Sequence, residues 1–241
     1  MSSSCAGSSS PSSWTDLHRD ALAPYGGWVL PDSPAHRTRL RLLTAASEEM
    51  IERGYAAASL SRIAARLGLT KGALGHHFPT KQDIAIAVFD RADEIAVQVA
   101  EEARRLFPDS AMRGCIAYFA GVARAGAADP IAAAWLALYQ DRSVPVEIAR
   151  RGYVTSRDAV AGFLADHLSR EGGELRVPPA QATLFLQLLV SGELAIARFL
   201  TDYSAQNAVD SFATALTGLG VPDAEAVVVD GIQAVWTSSP E

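Results

Sequence analysis

The sequence has few of the features that mark secreted, metal-binding or membrane proteins. Its 241 residues include only two cysteines, Cys5 and Cys115, which are too few for a disulfide framework or a cysteine zinc site. No apolar run approaches the roughly 20 residues that a membrane helix needs. The serine-rich N-terminus has neither the basic start nor the apolar stretch of a secretion signal. We therefore expect a cytoplasmic protein with no membrane partner.

The motifs of common enzyme classes are also missing. HExxH, GxSxG, a Walker loop and the dinucleotide-binding glycine pattern do not occur. Asp166 and His167 suggest two members of a triad, but no activated serine accompanies them. The adjacent His76 and His77 do not have the helix-face spacing of a metal site. We expect no enzymatic activity, no cofactor and no metal.

No convincing β-strand pattern is present, and the composition favours helix. Hydrophobic residues make up 49% of the chain, many of them alanine, the strongest helix former. Apolar residues recur at helical spacing from residue 35 onward, with proline or glycine between the segments. The sequence predicts an all-α fold that follows a disordered, Ser/Pro/Gly-rich N-terminal arm at residues 1–34.

Charge is distributed unevenly along the chain. The formal net charge is -6, yet residues 35–83 carry eight Lys or Arg against four acids, a net +4. Residues 1–34 carry -2 and residues 84–241 carry -8. A basic module attached to an acidic body favours local binding of phosphate groups.

The stretch from Ser59 to Phe78 is typical of two short helices joined by a tight turn. Ser59 is suited to cap the first helix, and Gly68 follows it where a positive φ is needed. Thr70 is suited to cap a second helix that begins at Lys71. This is the helix-turn-helix arrangement, whose second helix lies in the DNA major groove. An ordinary helical hairpin is the alternative interpretation of this stretch alone.

A longer match gives the motif a family context. Residues 37–89 resemble the DNA-binding domain of the tetracycline-repressor-like (TetR) transcriptional regulators, through HRTRLRLLTAASEEMIERGY and SLSRIAARLGLTKGALGHHFPTKQDIAIAVF. The resemblance implies a three-helix DNA-binding domain at residues 35–83, with the helix-turn-helix at 59–78. It also implies a larger helical domain for ligand binding and dimerisation at residues 84–241. A homodimer of this kind binds double-stranded operator DNA.

The start of the second helix of the motif supplies the first candidate DNA contacts. Thr70 offers its hydroxyl and backbone N–H to a phosphate. Lys71 can reach a guanine edge or a phosphate, and Gly72 permits close approach of the backbone. Ala73 is suited to touch a thymine methyl group.

Three further candidates and one departure follow in the same segment. His76 and His77 lie close to DNA in the family pattern, although one of them is equally suited to pack against the first helix. Lys81 is expected to contact the DNA backbone, its alternative being an ordinary solvated lysine. Gly75 stands where the family usually has a phosphate-binding tyrosine, and glycine cannot make that contact.

The C-terminal part resembles a subgroup of the same family, the γ-butyrolactone receptors. The resemblance rests on DPIAAAWLALYQDRSVP and GGELRVPPAQATLFLQLLVSGELAIARFL. It implies a repressor that releases its operator when a small lactone or butenolide binds. The alternative is a TetR-type regulator of an efflux or metabolic gene that responds to an unrelated hydrophobic ligand.

Aromatic residues are the candidates for binding that small hydrophobic ligand. Trp135 and Tyr139 share one helix face at i, i+4, so together they offer an apolar wall and a phenolic hydroxyl. Gln140 is suited to donate to a lactone carbonyl. Four further aromatic residues are secondary candidates, with plain core packing as their alternative: Tyr118, Phe119, Phe163 and Phe185.

Overall fold

A computed structural model describes residues 34–197, 199–200 and 204–237 of the chain. Within these ranges all regular structure is α-helical, which confirms the predicted fold class. Of the predicted N-terminal arm, only Pro34 lies inside the described residues, and it begins the first helix. The helices are α1 (Pro34–Ala57), α2 (Leu60–Arg66), α3 (Lys71–Gly75), α4 (Lys81–Leu106), α5 (Ala111–Ala128), α6 (Pro130–Tyr139), α7 (Val146–Arg170), α8 (Pro179–Ile196), α9 (Ala205–Leu219) and α10 (Ala224–Thr237).

Local sequence signals set the ends of the first helices. Gly54 interrupts α1 with a φ of 74°, a conformation that glycine adopts without steric cost. The Ser59 side chain caps α2 by accepting from the Arg62 N–H at 3.3 Å. Gly68, with a φ of 65°, turns the chain towards α3. The predicted helix-turn-helix is therefore present as α2 and α3.

A buried carboxylate fastens α1 to α2. Glu49 is 1% exposed, and its two oxygens accept from Arg62 at 2.6 Å and from Arg66 at 3.0 Å. Arg53 lies 3.4 Å from the same carboxylate. Burial alone would raise the pKa of Glu49, but the arginine hydrogen bonds outweigh it, so the pKa lies below its ordinary value of 4.5.

The long helix α4 joins the N-terminal helices to the body. It opens with a capping box in which Thr80 accepts from the Asp83 N–H and Asp83 accepts from the Thr80 N–H. Its 26 residues span about 39 Å at 1.5 Å per residue. The helix packs against α5, α6 and α7, and its buried face continues through both hydrophobic cores.

Helix α6 belongs to the N-terminal core as well as to the body. That core contains residues of α1 to α4 together with Ile131, Ala134, Trp135 and Leu138 of α6. The second core is built mainly from α4, α5, α7, α8, α9 and α10. Because α6 takes part in the N-terminal core, the predicted domain boundary at residue 83 does not follow the packing, and it stays a prediction.

Helix α8 leaves much of its apolar surface uncovered. Leu184, Phe185 and Leu188 are 49%, 45% and 62% exposed. By length and composition α8 is apolar enough to cross a membrane. This is weak support for a membrane span, because a core helix or an interface helix meets the same criteria.

The Glu49 network predicts a charge-dependent contribution to stability. Glu49→Gln should lower the free energy of unfolding at pH 7 by about 1–2 kcal/mol, since two charge-assisted hydrogen bonds are weakened and the arginines are only partly buried. A carboxylate with a lowered pKa stabilises the folded state above its ordinary value of 4.5, and that contribution is lost as the pH falls through the lowered pKa. The difference between the proteins should therefore shrink between pH 5 and pH 3.

Urea unfolding of wild type and Glu49→Gln at pH 7 and at pH 3 measures this difference in stability. Glu52→Gln is the matched control, because Glu52 also pairs with Arg66 but its side chain is 53% exposed. Equal stability of wild type and Glu49→Gln at pH 7 would contradict the assignment.

Candidate functional sites

The N-terminal turn of α3 presents its residues to solvent. Thr70, Lys71, Gly72 and Ala73 are all exposed, and the Thr70 side chain caps the helix by accepting from the Ala73 N–H at 3.2 Å. Leu74 is fully buried and fixes the opposite face of α3. The helix is thus held from one side, and its other side is free to enter a groove.

Several basic residues of the N-terminal module are engaged in holding the module together. Arg62 and Arg66 pair with the acids of α1. The Arg39 guanidinium lies 4.3 Å from the centre of the Phe78 ring and donates to the His77 carbonyl. Lys81 donates from Nζ to the Tyr55 carbonyl at 2.7 Å. The positive charge available for phosphates is therefore smaller than the net charge of the module suggests.

The predicted DNA contacts differ in how accessible they are. His76 is exposed and His77 is partly buried. Lys81 is partly buried, and besides its bond to Tyr55 it donates to the Ala56 carbonyl at 2.9 Å. Its predicted contact with DNA would require release of these bonds and stays a prediction, as do the contacts of the histidines.

Packing leaves room for a larger side chain at Gly75, where the sequence departs from the family pattern. A Cβ at Gly75 would meet no heavy atom within 4 Å. The backbone there is helical, so a larger side chain at this position would extend into open space. Glycine is therefore not required by packing at the place where the family usually has tyrosine.

The body contains a cavity of about 700 Å³, a size typical of sites for small organic ligands. Its wall is formed by α5, α6, α7, α8, α9 and α10. Most of the lining side chains are aliphatic or aromatic. The cavity therefore suits a hydrophobic molecule.

A few polar atoms stand in this apolar wall. The Trp135 indole N–H is buried without a hydrogen-bond partner. The Tyr118 hydroxyl is buried as well, and it interacts with the Ser156 side chain without a hydrogen bond of good geometry. Burial raises the pKa of Tyr118 to about 12, so its hydroxyl stays protonated at neutral pH. Beside them, Gln187 donates to the Ser156 hydroxyl at 3.1 Å. We call these four side chains the inner polar cluster.

Close packing holds the indole nitrogen of Trp135 in place. A side chain at Gly152 of α7 would collide with that nitrogen and would also press on the Phe89 ring. Ser156 lies one turn further along α7, on the same helix face as Gly152. A buried donor without a partner is costly, and a ligand carbonyl that displaces the groups covering the indole N–H would satisfy it.

The structure brings together four of the predicted ligand-binding residues, Trp135, Tyr139, Tyr118 and Phe119, in the cavity wall. Gln140 lies outside the wall, where it donates to the Ser191 carbonyl at 3.3 Å. Phe163 is buried against Tyr118, and Phe185 lies on the exposed face of α8. Direct ligand contacts by these last three residues stay predictions that the described wall does not support.

Sequence reasoning missed several polar and aromatic residues of the wall: Ser156, Gln187, Ser191, Glu193, Phe212, Gln233 and Trp236.

A polar contact connects the end of α6 with the end of α1. Asp141 accepts from the Tyr55 N–H at 2.8 Å, a donor that the break at Gly54 leaves without a helical partner. The other Asp141 oxygen accepts from the Ser143 N–H at 2.8 Å. Lys81 also lies over the Tyr55 ring, 4.5 Å from its centre. The α6–α7 turn, α1 and the start of α4 therefore meet at Tyr55.

Comparisons with known proteins agree with this architecture. The family model of bacterial regulatory proteins, tetR family, matches residues 42–88. The HTH-type transcriptional activator FasR of Mycolicibacterium smegmatis is 38% identical over 80 residues, which cover 33% of this chain and 36% of that protein. The match thus spans about a third of the length of this curated relative.

Solved structures match over much more of the chain. One, described as the molecular basis for control of antibiotic production by bacterial hormones, is 29% identical with a TM-score of 0.63, covering 76% of this chain and 97% of that one. The crystal structure of a gamma-butyrolactone receptor, an ArpA-like protein, is 21% identical with a TM-score of 0.68, covering 86% and 100%. At that identity the second likeness establishes the fold alone.

The fold and these matches define a helix-turn-helix transcriptional regulator with an additional helical body. Residues 42–88 carry the DNA-binding domain of the tetR family of bacterial regulatory proteins. The matched family and relatives are regulators rather than enzymes, which confirms the expectation from the sequence.

The buried hydroxyl of Tyr118 generates a prediction about the cavity. Tyr118→Phe should leave the stability of the unliganded protein unchanged or raise it by up to about 1 kcal/mol, because the hydroxyl that is removed makes no hydrogen bond of good geometry. Thermal unfolding without ligand measures this change, and Tyr139→Phe in the same wall is the control. Destabilisation by more than about 1 kcal/mol would mean that the hydroxyl is already satisfied in the folded protein.

Proposed function

We propose that the protein is a cytoplasmic, homodimeric repressor that releases its operator when a small hydrophobic signal binds. The observation that carries this proposal is the position of α6, which lines the cavity with Trp135 and Tyr139 and also packs in the core of the DNA-binding module. A ligand that presses on this wall acts on helices that hold α3.

The proposed ligand is a γ-butyrolactone or a butenolide. Such molecules combine an alkyl chain with one ring carbonyl, and the cavity combines apolar walls with the buried donor groups of Trp135 and Tyr118. The relatives named for bacterial hormones that control antibiotic production and for gamma-butyrolactone binding support the same class of signal.

The proposed dimer interface is the exposed apolar face of α8 together with α9. Leu184, Phe185 and Leu188 form an apolar patch on α8, and exposed patches of this kind mark association surfaces. Pairing through these helices would bring two copies of α3 to successive major grooves of a near-palindromic operator.

The proposed switch has two routes from the cavity to the DNA-binding module. The long helix α4 can change the spacing of the recognition helices as it shifts. Helix α6 offers a second and shorter route, because its end is joined to Tyr55 through Asp141. Ligand and operator prefer different positions of these helices, so each weakens the binding of the other.

A gel-shift assay with the purified protein tests the function. A palindromic operator selected from random DNA should be released by γ-butyrolactones or butenolides at saturation, with operator affinity falling about 5- to 150-fold. Lys71→Ala should bind the operator about tenfold or more weakly, because a phosphate or base contact is lost, while its dimerisation is unchanged. Release only by unrelated hydrophobic compounds would instead assign the protein to efflux or metabolic control.

The Asp141 contact generates a separate prediction about the switch. Asp141→Ala should keep ligand affinity but reduce the ligand-dependent change in operator affinity at least about threefold, because the cavity wall loses its polar connection to α1. Fluorescence anisotropy of labelled operator, with and without ligand, measures this ratio. Ser143→Ala is the matched control, since it removes only the hydroxyl bond to the other Asp141 oxygen. A wild-type ratio in Asp141→Ala would exclude this route.

A further inference from the structure

The cavity has a second polar feature away from the inner polar cluster. Glu193 of α8 lines the cavity, and its Oε2 atom is buried without a hydrogen-bond partner. Burial raises the pKa of Glu193, and a hydrogen bond with Ser211 of α9 partly offsets that rise. The carboxyl group thus interacts with α9, and its Oε2 atom is covered by neighbouring groups, so a ligand reaches that atom by displacing them.

Glu193 differs from every other described residue of the cavity wall. Among these lining residues it is the one that carries an acidic or basic side chain, whereas the rest are apolar, aromatic or neutral polar. An unpaired buried carboxyl oxygen is costly to maintain unless a donor reaches it. The group therefore favours ligands that bring a donor and disfavours ligands that bring a negative charge.

The two polar features are separated along α8. Gln187 of the inner polar cluster and Glu193 are six residues apart, which places them about 9 Å apart along the helix axis. They lie on opposite edges of the lining face, Gln187 towards Ser156 of α7 and Glu193 towards Ser211 of α9. An elongated ligand can therefore reach both, with an apolar segment between its two polar ends.

We infer that Glu193 determines specificity by accepting a hydrogen bond from a hydroxyl group at the ligand end remote from the carbonyl. The inference rests on the proposed function for the inner end of the ligand, where Trp135 and Tyr118 face a carbonyl. It goes beyond that proposal, because it selects hydroxylated neutral ligands over plain alkyl ligands and over carboxylates.

Two matched probe series test the inference by isothermal titration calorimetry at pH 7.5. The first consists of γ-butyrolactones with one alkyl chain that ends in methyl, hydroxymethyl or carboxylate. The second places the same three chain ends on a straight-chain methyl ketone, which keeps a carbonyl but has no lactone ring. Each series is measured on full-length wild type, Glu193→Gln and Glu193→Leu. The surface control is Glu225→Gln, because Glu225 is exposed on α10.

Wild type should bind the hydroxyl probe about tenfold or more tightly than the methyl probe, as expected when a buried acceptor without a partner gains a hydrogen bond. The carboxylate probe should bind at least about tenfold more weakly than the methyl probe, because it brings a charge into a low-dielectric site beside a carboxyl group. Glu193→Gln should keep the hydroxyl preference, because its amide oxygen still accepts a hydrogen bond. Glu193→Leu should lose the hydroxyl preference, but it should still bind the carboxylate probe more weakly than the methyl probe, because burying a carboxylate in an apolar wall remains costly.

The outcomes separate this inference from the proposed function. If only the ketone series binds and shows the pattern, the role of Glu193 holds and the lactone assignment fails. The inference is overturned if hydroxyl and methyl probes bind wild type equally. It is also overturned if Glu193→Leu keeps the wild-type preference for the hydroxyl probe, because Glu193 then does not accept a hydrogen bond from the ligand. Binding of neither series to wild type would overturn it as well.

Discussion

Helix α6 packs in the N-terminal core and also lines the cavity, and this shared packing links the two. Trp135 is 6% exposed and contributes both to the wall of the cavity and to the core that holds the recognition helix. Close packing transmits displacement, because interiors have few voids to absorb it. A ligand that moves Trp135 must therefore disturb the helices that position α3, and the cavity and the DNA-binding module form one mechanical unit.

Internal ion pairs and hydrogen bonds reduce the positive charge that the N-terminal module offers to DNA. Arg62, Arg66, Arg39 and Lys81 are engaged in internal contacts, so fewer cations face the phosphates than the composition suggests. Gly75 removes one more family contact without any packing requirement. The Lys71 side chain makes no hydrogen bond or ion pair among the described residues, so its charge is the one we expect to contact DNA. Under the proposed function, fewer phosphate contacts would lower the affinity for each half-site of the operator.

Sequence reasoning succeeded where the signal was local and fell short where it depended on packing. The helix-turn-helix followed from caps and a glycine turn, and the residues of α6 that line the cavity followed from one helix face. Glu193 was missed because its surroundings come from α8, α9 and the empty space between them, which no local pattern encodes. A polar residue inside an otherwise apolar helix was the signal available, and Gln187 carried the same signal.

The most direct test of the account is a thermodynamic cycle that joins the two sites. Operator affinity is measured with and without a saturating γ-butyrolactone, and the affinity for that lactone is measured with and without operator. Linkage through α6 predicts that both affinities fall by the same factor, between about 5- and 150-fold. Lactone binding that is equally tight to the free and the operator-bound protein would contradict the account.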